Sequence, residues 1–141
     1  MNIQRIQTTI GMMQRDGLSK DDATGVKVGV DIVSLSRIER AMQRNLLATI
    51  CHPREMTTAL VEPVDVARLW TAKEAVVKTL GTGFWQGGVD FPDICVFPFG
   101  SVQLFNRALE IAPRAQFEVH FSEIDNAMIA LAIRKDISKG G

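Results

Sequence analysis

"LWTAKEAVVKTLGTG", residues 69–83, is the stretch on which the reading of this chain turns. Trp70, Ala72, Val76, Val77 and Leu80 supply apolar positions at helical spacing, and the pattern predicts a helix over 65–80. Lys73, Glu74 and Lys78 interrupt it with charge, and Gly81-Thr82-Gly83 follows at once. Glu74 and Lys78 are four residues apart, so they lie side by side on one helix face. An exposed ion pair of that kind contributes under ~1 kcal/mol. A solvated flank and a functional site are both open at this point.

Upstream, "VKVGVDIVSL" (26–35) alternates Val26, Val28, Val30 and Ile32, the pattern of a half-buried strand. Lys27, Gly29 and Asp31 then fall on the other face, which puts Asp31 on the outer side. "SLSRIERAMQRNLLATI" (34–50) predicts a helix capped by Ser34 or Ser36. Ile38, Met42 and Leu46 form its apolar stripe. Arg37, Arg40 and Arg44, spaced by three and four, share a face. Pro53 and Pro63 break the next stretch, with room for a short helix between them. Downstream, "GTGFWQGGVD" reads as loop, "DICVFPF" and "SVQLF" as short strands, and "NRALEIA" as a short helix stopped by Pro113. "AQFEVHFSEI" and "NAMIALAIRK" read as strands. Helices and short strands without regular βαβ alternation point to the α+β class, an antiparallel sheet packed against the 65–80 helix.

The 141 residues suit one domain, with 26–141 as its body. Residues 1–25 stand apart. Ile3, Ile6, Ile10 and Met13 fall at helical spacing before the polar "GLSKDDATG", so a helical extension and a partly ordered tail both fit. Apolar residues make up 46% and charged residues 23%, which is ordinary for a globular protein. Lys plus Arg equals Asp plus Glu at 16 each, so overall charge gives no reason to expect a nucleic acid or membrane partner. The apolar runs are too short to span a bilayer, no signal-like segment opens the chain, and a cytoplasmic setting is expected. Cys51 and Cys95 lie in no CxxC or Cys/His cluster, so free thiols are expected rather than a zinc site.

Asp31 near a strand end, Glu74 on a helix, Lys78 one turn on and a Gly-Thr-Gly loop together suggest a phosphate site. Two carboxylates can hold Mg²⁺ while leaving positions for phosphate oxygens and water. Lysine adds a point charge for the same phosphates, and glycines let backbone N–H groups approach an anion. No GxxxxGK[ST] is present, so this is not a Walker loop.

These two blocks, "VGVDIVSLSRIE" and "LWTAKEAVVKTLGTG", resemble the signatures of the 4′-phosphopantetheinyl transferases, specifically the small holo-acyl-carrier-protein synthase type. The resemblance runs from about Val26 to Arg134 and includes the weaker "VDFPDICV". It implies transfer of the phosphopantetheine arm of coenzyme A to a serine of an apo acyl carrier protein, with adenosine 3′,5′-bisphosphate leaving. It also implies Asp31 and Glu74 as Mg²⁺ ligands and Lys78 as a phosphate contact. Lys73 either joins Lys78 at the phosphates or faces solvent. Gly81 and Gly83 would shape the coenzyme A wall. Proton removal from the serine would fall to a carboxylate or a metal-bound water. Arg37 and Arg44 match positions the family turns toward its carrier protein, and with Arg40 they suit an acidic helix. Small members form homotrimers with sites at the subunit interfaces.

Two departures stand out. Where the family has Ser-x-Ser-His, this chain has His120-Phe121-Ser122-Glu123, which puts Glu123 at the histidine position beside the coenzyme A site. His120 reads as structural. Leu69 stands where many members have Arg, and Arg68 is one residue early, about 100° round the helix. They suggest a divergent member. They motivate a second expectation, a catalytically impaired carrier-protein-binding or assembly protein on the same scaffold. A third sets the family aside: a Mg²⁺-dependent nucleotide or pyrophosphate hydrolase built on Asp31 and Glu74.

Overall fold

In the computed structural model the described residues are 25–55, 62–84, 86–97 and 101–138. The expectations for residues 1–24, and for a helix between Glu55 and Glu62, lie outside them.

Strand β1 (Val26–Ser34) leads into helix α1 (Leu35–Met42) and short helix α2 (Leu46–Ile50). Helix α3 (Pro63–Thr79) is followed by strands β2 (Ile94–Val96) and β3 (Val102–Leu104). Helix α4 (Asn106–Ile111) and the long strands β4 (Ala115–Ile124) and β5 (Ala127–Asp136) complete the chain. The main sheet is antiparallel in the order β1-β5-β4, and β2-β3 form a separate antiparallel pair. The expected α+β class and the sheet-on-helix architecture are what the structure has.

Helix α3 departs from the usual two-faced pattern. Val66, Ala67, Leu69, Ala72, Ala75, Val76 and Val77 are all buried, and so are Thr71, Lys73 and Thr79. A helix buried on most sides is a central element, enclosed here by the sheet, α1 and β2. Its two buried threonines satisfy their hydroxyls locally, Thr71 donating to Ala67 O at 2.7 Å and Thr79 to Val76 O at 2.7 Å. Pro63 occupies its first turn, where the missing N–H costs nothing. Gly81, at φ +78°, takes the left-handed position just past the cap and ends it.

Two expectations need correcting. The alternating Val stripe of β1 does not face the helix. A side chain added at Gly29 would collide with the Ala75 carbonyl and reach the Lys78 Cβ, so the Gly29-Asp31-Val33 face packs on α3. Opposite it in register on that face are Ala132, Ala130 and Met128 of β5. Small residues win here because they let backbone approach backbone. The stripe Val28, Val30 and Ile32 lies on the far face with Ile133, Leu131 and Ile129, and Ile32 is 61% exposed. The predicted single helix over 34–50 is two helices. Asn45 adopts φ 65° between them, a left-handed conformation that asparagine tolerates and a helix interior does not.

Cys51 and Cys95 are both free and buried. Burial, reinforced by the Glu55 carboxylate, pushes each thiol up to about 11. Neither is therefore expected to react with an aromatic disulfide reagent at pH 8 in the folded protein, whereas both titrate promptly in denaturant. Fast reaction of either in the native state would contradict this packing.

Candidate active site

The site forms where β1 crosses α3. Gly29 sets the distance between them, and two residues on, the Asp31 side chain emerges on the same face. Lys78, one turn below Glu74 on α3, places its Nζ 3.2 Å from Asp31 Oδ1 and donates to the Val30 carbonyl at 2.6 Å. Desolvation by burial pushes the Asp31 carboxyl above its ordinary range, against the opposing pull of the Lys78 ammonium and, more weakly, Arg37. Glu74 is raised too, first by burial and then by the negative charge of Asp31, with Lys78 again opposing. Strand and helix have thus brought two partly dehydrated carboxylates and one ammonium to a single point. Leaving both acids ionised there costs energy that a bound cation would recover.

Arg37 is exposed at the start of α1, where its backbone N–H donates to the capping Ser34 Oγ at 3.1 Å. Its charge reaches Asp31. Arg40, three residues on, is exposed on the same short helix. Arg44 is not on that helix, which ends at Met42; it sits in the following turn with its N–H on Ala41 O at 2.9 Å. The three-arginine helix face is therefore two arginines and a neighbour. Gly81 and Gly83 follow α3 directly, and Gly81 is already accounted for as the residue that ends the helix.

Lys73 faces neither phosphate nor solvent, contrary to both expectations. It is fully buried, and its three N–H groups are spent on Ile50 O at 2.5 Å, Glu55 Oε1 at 2.7 Å and Phe91 O at 3.0 Å. One residue along a helix is about 100° of rotation, enough to send Lys73 inward while Glu74 points to β1. Glu123 is exposed on β4, paired through β5 Met128 with Val33. It shares Asp31's face of the sheet but lies two strands away, roughly 10 Å at the usual strand spacing. His120 is on the opposite face, exposed, 3.4 Å from Glu118, and is not part of the core. Leu69 is buried in the core, while Arg68 is exposed and pairs with Asp65 at 3.5 Å.

Sequence reasoning passed over two contributors. Gly29 carried a signal, since glycine inside a strand marks a close backbone approach. Glu55 carried none, because nothing in its spacing points to Lys73. Among the described residues no group of three or more His, Cys, Asp or Glu side chains could hold a metal. The protein's own contribution to a cation would be the Asp31–Glu74 pair.

A model of the 4′-phosphopantetheinyl transferase superfamily matches residues 27–132, which takes in β1, α3 and the site. The chain belongs to this superfamily. Its similar curated relatives are holo-[acyl-carrier-protein] synthases. That of Alkaliphilus metalliredigens is 36% identical over 94 residues, 60% of this chain and 75% of the relative. That of Chlorobium chlorochromatii is 46% identical over 68 residues, 44% of this chain and 58% of the relative. The second match thus spans less than two thirds of its relative's length. Solved structures agree in fold. The Helicobacter pylori holo-[acyl-carrier-protein] synthase in complex with coenzyme A superposes with TM-score 0.65 at 23% identity, over 77% of this chain and 99% of that one. The Neisseria meningitidis enzyme gives TM-score 0.62 at 26% identity, over 77% and 97%. Within the superfamily the chain is an enzyme of the holo-[acyl-carrier-protein] synthase class.

Proposed function

We infer that this phosphopantetheinyl transferase moves the 4′-phosphopantetheine group of coenzyme A onto a serine of an apo acyl carrier protein, in a Mg²⁺-dependent reaction. The observation that carries the reading is the convergence of Asp31, Glu74 and Lys78 at one strand–helix crossing inside the superfamily match. The serine oxygen forms a bond to the β-phosphorus of the pyrophosphate. The bond from that phosphorus to the bridging oxygen breaks, and adenosine 3′,5′-bisphosphate leaves with the electron pair. Little covalent chemistry falls to the protein; its part is positioning and charge stabilisation.

Asp31 and Glu74 suit Mg²⁺, which takes one or two carboxylates and keeps the rest of its octahedron for phosphate and water. Bound there, the ion would neutralise charge building on the pyrophosphate. Lys78 can reach from Asp31 to a phosphate oxygen on its flexible stem. A half-buried carboxylate with raised proton affinity is also a reasonable acceptor for the serine proton, and Glu74 fits that role. Gly81 and Gly83 would form the coenzyme A wall beside Lys78.

Assembly into a homotrimer, as the family resemblance implies, is part of this reading; Ile32, 61% exposed on the far face of the sheet, is an apolar residue such an assembly would cover. Glu123, exposed on β4 on Asp31's face of the sheet, would reach coenzyme A only where a neighbouring subunit presented the nucleotide on that face. The proposed setting is the cytoplasm, in fatty acid or polyketide synthesis. Glu123 in place of histidine favours one second reading, a carrier-protein-binding protein with impaired chemistry.

Intact-mass analysis of a panel of apo carrier proteins, incubated with coenzyme A, Mg²⁺ and this protein, tests the proposal. A phosphopantetheine mass gain that disappears with Glu74→Ala supports it. Carrier binding without Mg²⁺-dependent coenzyme A binding would favour the second reading, and coenzyme A cleavage without a carrier would point to a hydrolase. Charge reversal on α1 tests the docking face. Arg40→Glu is expected to raise KM for the carrier about tenfold and to flatten its salt dependence while leaving kcat within about twofold. An unchanged KM would remove α1 from the docking surface.

A further inference from the structure

Lys73 and Glu55 form a buried ion pair that touches none of the reacting groups, yet it adjoins the central carboxylate of the site in sequence. Lys73 is fully buried and Glu55 is 6% exposed. The ammonium meets three acceptors with its three protons, from α2 (Ile50), the turn Pro53–Glu55 (Glu55) and the turn Phe91–Asp93 (Phe91). The Glu55 carboxylate is equally committed. Oε1 also accepts from His52 N at 2.7 Å, and Oε2 accepts from Val96 N of β2 at 2.6 Å. Two segments of chain, 50–55 and 91–96, are thereby fastened to one position of α3.

We propose that Lys73, held by Glu55, is a positioning residue for the transfer reaction: it fixes the roll and axial register of α3 so that Glu74 and Lys78 meet Asp31. The inference rests on the transferase reading of that site. A helix carrying mostly small and aliphatic residues against a sheet can turn or slide at low cost, because apolar contacts are non-directional. A fully satisfied ammonium cannot, because each of its bonds has a direction and leaving one unmade in the interior is expensive. The lysine lies on one side of α3 and β1 on another, where Gly29 sets the separation. At the helix end, Arg134 Nη1 donates to Thr79 O at 2.8 Å while its Nε and Nη2 hold Asp136 at 2.9 and 3.0 Å. Gly29 fixes the distance, Arg134 the end, and Lys73 the rotation. Two groups carrying opposite charge, Glu74 and Lys78, are presented toward Asp31 only at one rotation.

The alternative is that the pair serves stability alone, since buried ion pairs can often be replaced by apolar residues without loss. Lys73→Met leaves the Glu55 charge buried, so a loss of activity there is uninformative. The informative protein is Lys73→Met/Glu55→Gln, which removes both charges; Glu55→Gln alone keeps the ammonium on Ile50 and Phe91 but leaves its charge unpaired, so for activity only its retention there is informative. Kinetics are read at 20 °C on protein shown to be folded by calorimetry. In the double variant we expect kcat to fall at least tenfold with KM for coenzyme A within threefold. Mn²⁺ affinity, titrated with the metal alone, should fall at least fivefold. A kcat and a Mn²⁺ affinity within twofold of the wild type in either folded variant overturns the proposal.

A wild-type protein that neither binds Mn²⁺ nor transfers the group would sink the transferase reading instead. The positioning role is then judged on amide chemical shifts of Glu55→Gln. Changes that reach Asp31, Glu74 and Lys78 support it, and changes confined to 50–55 and 91–96 overturn it.

Discussion

Glu74→Gln is expected to lower the transfer rate at least about 100-fold, the scale seen when one electrostatic contact to a transition state is removed, and at the same time to raise the melting temperature. The first effect follows from its place beside Asp31 and Lys78. The second follows from the upward displacement of its carboxyl by burial and by the Asp31 charge. A carboxylate whose proton affinity is higher in the folded protein than in the unfolded chain weakens folding wherever it is ionised. Removing that charge is expected to stabilise the folded protein, as is common when a functional constraint is relieved. The gain has a pH signature. It is full above the raised value of the folded protein, fades as pH falls through it, and is lost below the ordinary value of 4.5, where both states carry the proton. Calorimetry at pH 8 and pH 4.5, beside the mass-based rate, measures both halves. A variant that is inactive and less stable at pH 8 would mean that Glu74 holds the fold rather than the chemistry.

Gly29→Ala is expected to cost 1–3 kcal/mol, roughly the price of one overpacked methyl group, and to reduce activity out of proportion to that loss. The added Cβ would overlap the Ala75 carbonyl and come 3.2 Å from the Lys78 Cβ. The overlap is with main chain, so no rotamer change can relieve it, and α3 must retreat from β1. Both Glu74 and Lys78 retreat with it, while Asp31 stays. A misplacement of about 1 Å costs on the order of 100-fold in rate. Folded Gly29→Ala with a wild-type rate constant would show that the close approach serves packing alone.

The sequence announced the ends of α3, the β1 strand and the α+β class because each rests on local pattern. The helix expected over 65–80 runs over Pro63–Thr79, with Pro63, expected as a break, in its first turn and Gly81 just past its end; alternation marks the strand. It misassigned the faces because alternation gives a period and not a direction. The apolar stripe of β1 looks like the buried side until the small residues Gly29, Ala130 and Ala132 are seen opposite the helix. The Asp31–Glu74–Lys78 grouping was legible only as a pattern of residue types; its convergence depends on one helix crossing one strand. Lys73 was misplaced for a different reason. Its partner Glu55 and acceptors Ile50 and Phe91 lie 18 to 23 residues away, where no periodicity reaches. Asn45, which divides the predicted 34–50 helix, was read as helical because a single polar residue does not break the apolar spacing.

That division has a use in protein engineering. Helix α1 begins at its own cap, Ser34, stops just before the turn at Asn45, and buries one residue, Ile38, at 2% exposure. Arg37 and Arg40 ride on its outer surface, with Arg44 just beyond. It is a small cassette, joined to β1 and seated on the core by Ile38, with Leu35 and Met42 packed beside it. If α1 is the docking face proposed above, exchanging Arg40 and its exposed neighbours would redirect the enzyme among carrier proteins while leaving α3 in place.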